Sequence, residues 1–314
     1  MSKKIFTTIL LAAFSCIVIV AQEGRSLPLL EVNGDSRTAG MGDANMGKTN
    51  GMFIYNNPTA FFQHDGNIYG SYTMGLYSAI NDSRKMFHAV SAGYKMYDKH
   101  ALMVGFRYLG GAAIPRVNLD GVEGQSIHPM DWSVDLSYAL KLNDNFSAFI
   151  SGNFIQSYVS EVAYTGGVSL GGYYNSNFDF NTSLAEYSIG LDIRDLGGKV
   201  KFENSDISTP MPTSVGFGGT IGLPLNETSQ LNGALTTRYF MLPSNSSAFT
   251  IGIGLEYEYQ KMLAVRTGYH IGDSNNYFTM GLGGSWKTVQ LNLAYSIASV
   301  KEFNKLTFGI STQF

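Results

Sequence analysis

The feature that most constrains this chain is a two-residue alternation of apolar and polar side chains. Over residues 249–259 every odd position is apolar or aromatic, and threonine, glycine or glutamate lies at the even positions. The same period recurs over 263–271, 289–297 and 306–314. Because successive side chains of a strand point to opposite faces of a sheet, the pattern predicts β-strands with one apolar face and one polar or small face.

Two folds accommodate such strands. In a soluble sandwich the apolar face packs inward, whereas in an outer-membrane barrel it faces lipid and the small polar face lines the lumen. The repeats run for about ten to twelve residues, longer than usual soluble strands and right for a tilted span of the bilayer. Aromatic residues gather near the strand ends, as in interfacial girdles; they include Tyr257, Tyr259, Tyr277, Phe278 and Trp286. The pattern favours an all-β, antiparallel transmembrane β-barrel.

Fourteen strands are predicted, an even number as in bacterial single-chain barrels. Their ranges are 67–77, 86–96, 100–110, 131–141, 145–157, 165–176, 184–194, 213–223, 229–240, 247–258, 261–271, 275–286, 288–298 and 304–314. The last residue, Phe314, resembles the terminal aromatic that serves as an assembly signal in outer-membrane barrels. Three longer connections, at 111–130, 158–165 and 195–212, are expected on one side of the membrane.

One predicted strand departs from the alternation. In 145–157, Phe149 and Ile155 both fall on the nominally polar face. An apolar residue that faces the lumen needs something to pack against, so we expect this strand to contact an internal plug or a partner.

The first residues carry the pattern of an export signal. Two lysines precede an apolar stretch of about 16 residues, short of the roughly 20 that a transmembrane helix needs. A signal-peptidase site follows, so residues 1–21 are predicted to be a cleaved signal peptide. The only cysteine, Cys16, lies in this stretch, and Phe14 stands where a lipoprotein would need a small residue. The mature chain therefore has no thiol for a disulfide, a nucleophile or a metal.

Residues 22–64 do not follow the strand pattern. Glycines interrupt the segment repeatedly, yet it also contains large apolar residues such as Met52 and Phe61. A disordered leader would have few such residues, so we interpret 22–64 as an N-terminal hatch inside the lumen. Residues 65–314 then form the barrel.

Charge and motif content exclude several classes of function. The formal net charge is −3, and a nucleic-acid binder would need a basic stripe. The five histidines form no His-x-x-x-His pair, and we expect no nucleophile elbow of the Gly-x-Ser-x-Gly type. We therefore predict no metal site, no cofactor and no catalytic residues.

The charged residues on the predicted lumen face are expected to pair across strands and hold the plug, because unpaired charges in a narrow lumen are costly. These residues are Asp131, Asp135, Glu186, Asp192, Arg194, Arg238, Glu256, Glu258, Arg266 and His270. An arginine of the hatch, Arg37, can hold a wall carboxylate in a two-pronged bond, for which Glu256 and Glu258 are the candidates.

Two segments of the hatch carry a family resemblance. Residues 34–43 read Gly-Asp-Ser-Arg-Thr-Ala-Gly-Met-Gly-Asp and residues 55–60 read Tyr-Asn-Asn-Pro-Thr-Ala. Both resemble the opening of the PorV/PorQ family, FadL-like barrels of Bacteroidota best known from the type IX secretion system. Asn56 replaces the usual tryptophan and Thr59 the usual alanine. The residues that carry the motif are Gly34, Asp35, Arg37, Gly40, Met41, Gly42, Asn57 and Pro58.

Further segments are similar to the family in the same order. They are Asp-Leu-Gly-Gly-Lys-Val at 195–200, Met-Pro-Thr-Ser at 211–214 and Leu-Ala-Val-Arg-Thr-Gly-Tyr at 263–269. The resemblance implies a 14-stranded FadL-like barrel with a hatch in the outer membrane of a Gram-negative bacterium. It also implies a non-enzymatic role in protein secretion, in which substrates with C-terminal signal domains leave the translocon and pass to a sortase-containing attachment complex.

The partner-binding residues are expected in the loops at 111–130 and 158–165. In the loop at 111–130 the candidates are Ile114, Pro115, Val117 and Ile127. Two other functions stay open: FadL-like uptake of a hydrophobic small molecule, which needs an apolar pocket and an opening to lipid, and an accessory role in another outer-membrane complex.

Overall fold

The structure is a computed structural model. It describes residues 25–49, 51–80, 83–114, 124–180, 183–203, 208–272 and 275–314. The predicted signal peptide, residues 1–21, lies outside these ranges. Within them, no helix is long and apolar enough to cross a membrane.

The described residues form a closed antiparallel barrel of fourteen strands and a separate two-stranded hairpin. In chain order the strands are β1 (Ile68–Ile80), β2 (Ser83–Met96), β3 (His100–Gly110), β4 (Met130–Lys141), β5 (Phe146–Tyr158), β6 (Val162–Phe180), β7 (Ser183–Gly197), β8 (Lys199–Lys201), β9 (Ser208–Pro210), β10 (Ser214–Asn226), β11 (Ser229–Phe240), β12 (Ala248–Tyr259), β13 (Leu263–Ile271), β14 (Tyr277–Trp286), β15 (Val289–Ala298) and β16 (Lys305–Gln313).

Each barrel strand pairs with its neighbours in the chain, except that β7 pairs with β10 across the hairpin β8–β9. The barrel closes where β1 pairs with β16. At this seam the backbone N–H of Phe314 donates to the carbonyl of Ile68, and the N–H of Ile68 donates to the carbonyl of Phe314. The predicted fourteen-stranded barrel is thus confirmed, and the hairpin is an addition within the predicted connection at 195–212.

The alternation in the sequence separates the two faces of the wall. On β13, Leu263 and Val265 project outward and are exposed, whereas Ala264 and Arg266 face the lumen and are buried. The outer face is apolar because it borders lipid, and the inner face carries small and charged side chains.

The described parts of the three longer connections lie at the same end of the barrel. They follow β3, β5 and β7, which run in the same direction because neighbouring strands are antiparallel. We call this end the loop end, and the opposite end, where Phe314 lies, the terminal end. The prediction that these connections share one side is confirmed. Their assignment to the cell exterior stays a prediction, which the general rule of longer extracellular loops supports.

Residues 25–64, the N-terminal segment, lie inside the ring of strands. The helix α1 (Ser36–Ala39) contacts β14, β15 and β16. Short 3-10 turns at Pro28–Glu31, Phe53–Tyr55 and Pro58–Gln63 contact β3 and β4. Because these strands are far apart around a closed barrel, one short segment can touch them all only from the lumen.

The N-terminal segment runs from the loop end to the terminal end. Near its start Arg25 donates to the carbonyl of Ser246, in the loop-end connection between β11 and β12. At its other end Lys95, near the end of β2, donates to the carbonyl of His64. Whether the segment serves as a hatch stays a prediction.

Two apolar clusters fill the space between this segment and the wall. Phe149 and Tyr173 of the wall belong to the larger cluster, together with Phe53 and Phe61 of the segment. Ile155 belongs to a smaller cluster at the loop end, with Leu27, Val200 and Met211. The expectation that Phe149 and Ile155 contact an internal plug agrees with these clusters.

Candidate functional site

The helix α1 is short, and its N-cap residue holds it in place. The Asp35 carboxylate accepts hydrogen bonds from the backbone N–H groups of Arg37 and Thr38, at 3.2 and 3.3 Å, and from the Thr49 hydroxyl at 2.8 Å. A carboxylate at this position satisfies N–H groups that have no partner within the helix. The cap thereby fixes the direction in which the Arg37 side chain leaves the segment.

Arg37 binds a wall carboxylate in the two-pronged geometry expected from its planar guanidinium. Its Nε and Nη2 donate to the two carboxylate oxygens of Glu256 at 3.0 and 2.6 Å. Arg266 donates to the same carboxylate at 2.5 Å, and the Asn232 amide donates to it at 2.8 Å. Of the two predicted partners, Glu256 is confirmed. Glu258 attracts Arg37 over a longer range.

This cluster is removed from water. Glu256 is 0% exposed, and Arg37 and Arg266 are 2% and 4% exposed. Two arginines and one glutamate leave an excess positive charge, which the nearby Asp35 carboxylate offsets by attracting both guanidinium groups. Buried charges are tolerated when they are paired and hydrogen-bonded, as these are.

A second set of charges holds the segment at Tyr55 and Asn56. Arg194 of β7 donates to both backbone carbonyls, and its Nε donates to Asp192 at 2.8 Å. Arg238 of β11 also binds Asp192, at 3.0 Å. The wall therefore binds the backbone of the segment here, as well as its side chains.

The Tyr55 side chain is held from the opposite direction. Its hydroxyl donates to Asp135 at 3.2 Å, and Arg107 binds the same carboxylate at 2.8 Å while lying 4.4 Å from the Tyr55 ring centroid. Sequence analysis placed Asp135, Asp192, Arg194 and Arg238 on the lumen face but overlooked Arg107. The sequence did indicate that Arg107 faces the lumen, because this residue occupies an inward position of the alternation in β3.

The glycines of Gly40-Met41-Gly42 allow backbone to lie against backbone. Gly42 has a φ of 65° and donates from its N–H to the Thr279 hydroxyl at 2.8 Å. A Cβ on Gly42 would collide with β13, and one on Gly252 or Gly268 of the wall would collide with Gly42. The segment can approach the wall this closely because glycine lies on both sides of the contact.

Other residues of the family motif stabilise turns. The side chain of Asn57 accepts from the Thr59 N–H at 3.1 Å, and its amide donates to the Gly47 carbonyl at 3.0 Å. Pro58 occupies the first position of the following 3-10 turn, where its missing N–H costs nothing. Gly34 packs against the Tyr55 side chain. The structure thus places the motif residues together in the lumen, where their contacts hold the segment in shape.

The expectation on the nucleophile elbow needs one correction, since a Gly-x-Ser-x-Gly sequence does occur, at 167–171. Such a sequence marks a catalytic serine when it forms a sharp turn between a strand and a helix. Here it lies within the strand β6, and the Ser169 hydroxyl accepts a hydrogen bond from the Asp195 backbone N–H at 3.1 Å. The geometry supports a structural role for this serine.

No group of three or more histidine, cysteine, aspartate or glutamate side chains in the described ranges is arranged to hold a metal ion.

The predicted partner-binding loop lies at the loop end. Ile114 and Ile127 face each other in an isolated antiparallel bridge, with N–H to carbonyl distances of 2.8 and 3.0 Å. Ile114 is 48% exposed. The other two candidates, Pro115 and Val117, lie outside the described residues.

A cavity of about 370 Å³ lies beside this bridge. Its lining is mostly apolar and comes from the N-terminal segment, the barrel wall, the hairpin β8–β9 and the residues around Ile114. This cavity was not predictable from the sequence, because these parts are far apart in the chain.

Several solved structures share this fold. The toluene transporter TodX of Pseudomonas putida has a TM-score of 0.61 at 11% identity, covering 87% of this chain and 95% of that one. The toluene transporter TbuX of Ralstonia pickettii has a TM-score of 0.60 at 13% identity, covering 92% and 100%. A FadL homologue of Pseudomonas aeruginosa has a TM-score of 0.51 at 10% identity, covering 89% and 98%. At these identities the likeness shows the fold alone.

Sequence comparison identifies the family. No curated protein sequence matches the chain. Residues 21–247, more than half of the chain, match the family model described as type IX secretion system protein PorV. With the closed barrel, this match indicates an outer-membrane protein of secretion or transport. The chain belongs to the PorV family of FadL-like outer-membrane β-barrels.

Proposed function

We propose that this chain is a non-enzymatic component of type IX secretion in the outer membrane of a bacterium of the Bacteroidota. It receives secreted proteins through their C-terminal signal domains as they leave the translocon, and it passes them to the attachment complex at the cell surface. Residues 1–21 serve as the cleaved export signal, and residues 22–64 serve as the hatch.

The observation that carries this proposal is the filled lumen. Two wall residues bind the N-terminal segment, and we call these two contacts clamps. Glu256 forms an ion pair with Arg37, and Arg194 donates hydrogen bonds to the backbone carbonyls of Tyr55 and Asn56. Aromatic and aliphatic side chains pack between these clamps and the wall. A polypeptide would have to displace all of these contacts to pass through the barrel. The loop end is therefore the surface on which this protein handles its cargo.

The second candidate, uptake of a hydrophobic small molecule, has one observation in its favour: the apolar cavity at the loop end. Transport also needs an exit into the lipid or the periplasm. The wall from β2 to β5 is paired without a register shift. The pairing of β1 with β2 does shift register between Leu76 and Ala79, beside Lys85, which lines the cavity. Transport stays the second candidate because the packed N-terminal segment occupies the lumen through which a molecule would pass.

The experiment replaces residues 113–126 with a short Gly-Ser linker and leaves β3 and β4 intact. We expect the barrel to assemble and to remain heat-modifiable on a gel, while export of surface proteins falls at least tenfold. The matched control replaces residues 300–303, in the loop-end connection between β15 and β16, and should leave export unchanged. Normal export from the first variant would contradict the proposal.

Co-purification tests the third candidate function, an accessory role in another outer-membrane complex. Crosslinking in intact cells should recover the translocon barrel and attachment proteins with the unmodified chain. If a different outer-membrane assembly is recovered, the chain is an accessory subunit of that assembly.

A further inference from the structure

Ionisable side chains are rare on the lipid-facing side of the wall. On β2 this face carries the even-numbered positions, as the exposed Val90 and Tyr94 show. Among the outward positions of the described barrel strands, only three hold an arginine, lysine, histidine, aspartate or glutamate: Arg84, His88 and His100. Such a side chain is costly against lipid and indicates a functional site. Two of the three lie on the loop-end half of β2.

His88 is held between two tyrosines. Its Nδ1 lies 2.8 Å from the Tyr72 hydroxyl, and its ring centroid lies 6.2 Å from that of Tyr72 and 6.3 Å from that of Tyr108. A hydroxyl that donates to Nδ1 leaves the proton of the imidazole on Nε2. Among the described residues, Nε2 binds no protein group. The tyrosines therefore orient an imidazole whose second nitrogen can donate to a group outside the protein.

His88 begins a row of outward side chains that can form hydrogen bonds. Strand pairing continues the row across β3, β4, β5 and β6 through Tyr108, Trp132, Gln156 and Tyr164. Each of these four residues lies two positions inside the loop end of its strand. The next row toward the terminal end contains only apolar residues and glycine: Val90, Phe106, Val134, Phe154 and Gly166. The polar row therefore marks the edge at which lipid tails give way to lipid headgroups.

The chemistry of this edge selects an anion. Arg84 supplies an exposed guanidinium four residues from His88 on the same face of β2, and the row itself contains no carboxylate. A guanidinium and an imidazole N–H bind phosphate oxygens through charge-assisted hydrogen bonds. On a face that borders the bilayer, the phosphate beside these groups is that of a lipid headgroup. The two Cα atoms are about 13 Å apart along the strand, so a headgroup of several sugar and phosphate units can contact both residues.

We propose that Arg84 and His88 bind the phosphorylated headgroup of a glycolipid in the outer leaflet, with Tyr72 and Tyr108 as positioning residues. The inference goes beyond the proposed function, because it assigns a lipid ligand to the outer face of the barrel, whatever cargo the loop end handles. The polar row leads from this site to β3 and β5, the strands that carry the connections at 111–130 and 158–165. A bound glycolipid therefore lies beside these connections at the membrane surface.

The test measures binding of purified lipid A, with both of its phosphates, to the purified full-length barrel in detergent micelles by native mass spectrometry. We expect one lipid per barrel, at least tenfold weaker binding of lipid A without its phosphates, and no displacement by inorganic phosphate at equal concentration. Arg84→Gln and His88→Phe should each weaken binding at least fivefold. The matched control is His100→Phe, which removes the outward histidine at the terminal end, where its Nδ1 lies 2.7 Å from the Tyr138 hydroxyl. It should change binding less than twofold.

A further variant separates hydrogen bonding from packing, in barrels that remain heat-modifiable. His88→Arg keeps a cationic donor and should retain binding within threefold of the wild type, whereas His88→Phe keeps only a ring. Equal losses in these two variants would overturn the proposal, and so would a loss in His100→Phe as large as that in His88→Phe. Full displacement of the lipid by inorganic phosphate would also overturn it, because the site would then take a free anion.

A photo-crosslinking residue in place of Met86, which lies between Arg84 and His88 on the same face of β2, identifies the neighbour of this site in intact cells. We expect an adduct with the mass of a glycolipid. An adduct with a protein would overturn the proposal and assign this face to a protein partner. None of these measurements involves export, so their failure leaves the proposed function standing, and a failure of the export experiment leaves the lipid site standing.

Discussion

Glu256 joins two arginines that lie far apart in the chain, Arg37 of the N-terminal segment and Arg266 of the wall. Removing its carboxylate leaves both guanidinium groups buried without their direct partner. Breaking a buried ion pair in this way costs about 3–5 kcal/mol, so we expect Glu256→Ala to destabilise the docked segment by that amount. Limited proteolysis of the N-terminal segment in purified barrels, followed over increasing urea concentration, measures the change.

Two further variants show whether geometry or charge matters in this cluster. Arg37→Lys keeps the charge but loses the two-pronged bond, and it should cost about 1.5–3 kcal/mol. Glu258→Gln removes a carboxylate from the same face of β12 without breaking the direct bonds of Glu256, and it should change protease resistance little. Equal effects of the glutamate variants would show that overall lumen charge, and not this bond, holds the segment.

His64 makes the docking of the segment sensitive to pH. Burial lowers the pKa of its imidazole from 6.5 to about 4, and its neutral Nε2–H donates to the Thr49 carbonyl at 3.0 Å. Between pH 4 and pH 6.5, His64 binds a proton when the segment is released but stays neutral when the segment is docked. Docking should therefore be strongest above pH 6.5 and weaken as the pH falls toward 4, by about 3 kcal/mol in total.

Protease sensitivity of the N-terminal segment at pH 7.5 and pH 4.5 measures this dependence. His64→Gln keeps a donor for Thr49 but does not titrate, so it should flatten the pH response. A wild-type segment that is equally resistant at both pH values would contradict the assignment.

At the scale of elements, alternation located the barrel strands because each has one face against lipid. β3 and β11 were predicted at 100–110 and 229–240, the bounds that the structure has. The bounds of β6 were predicted less well: the predicted range was 165–176, and the strand is Val162–Phe180. Its last part keeps the alternation, because Phe178 and Phe180 alternate with Asn177 and Asp179, and it pairs with β7 as far as Phe180. The predicted range therefore ended this strand too early. The hairpin β8–β9 was missed because strands of three residues are too short to show a period.

The candidate site was predictable only in part, for physical reasons. The chemistry of Arg37 indicated a carboxylate partner, but choosing Glu256 over Glu258 needs the position of the segment in the lumen. Arg107 was predictable from its inward position on β3. The apolar cavity was not, because its lining depends on how separate parts of the chain meet at the loop end.

At the scale of the whole molecule, the fold combines a wide barrel with a chain segment that fills it. Barrels of eight strands are filled by their own side chains, whereas those of 16–18 strands leave an aqueous channel. This barrel, with fourteen strands, is closer to the second case, and much of its inner face is glycine, serine and threonine. The N-terminal segment fills the volume that the small wall side chains leave empty. Closure of the lumen to ions therefore depends more on the segment than on the wall.

Deleting residues 25–63 should therefore convert a barrel that does not conduct ions into an ion channel. The remaining wall keeps its strand pairs and its lipid-facing side chains, so we expect the variant to assemble and stay heat-modifiable, with Arg194, Arg238 and Arg266 now lining water. In planar bilayers it should show a steady, ohmic conductance, while the full-length barrel shows none. Glu256→Ala should give brief openings, because it loosens one clamp and leaves the others. A folded deletion variant that remains silent would mean that the wall closes the lumen by itself, and steady conductance in the full-length barrel would mean that the segment does not seal it.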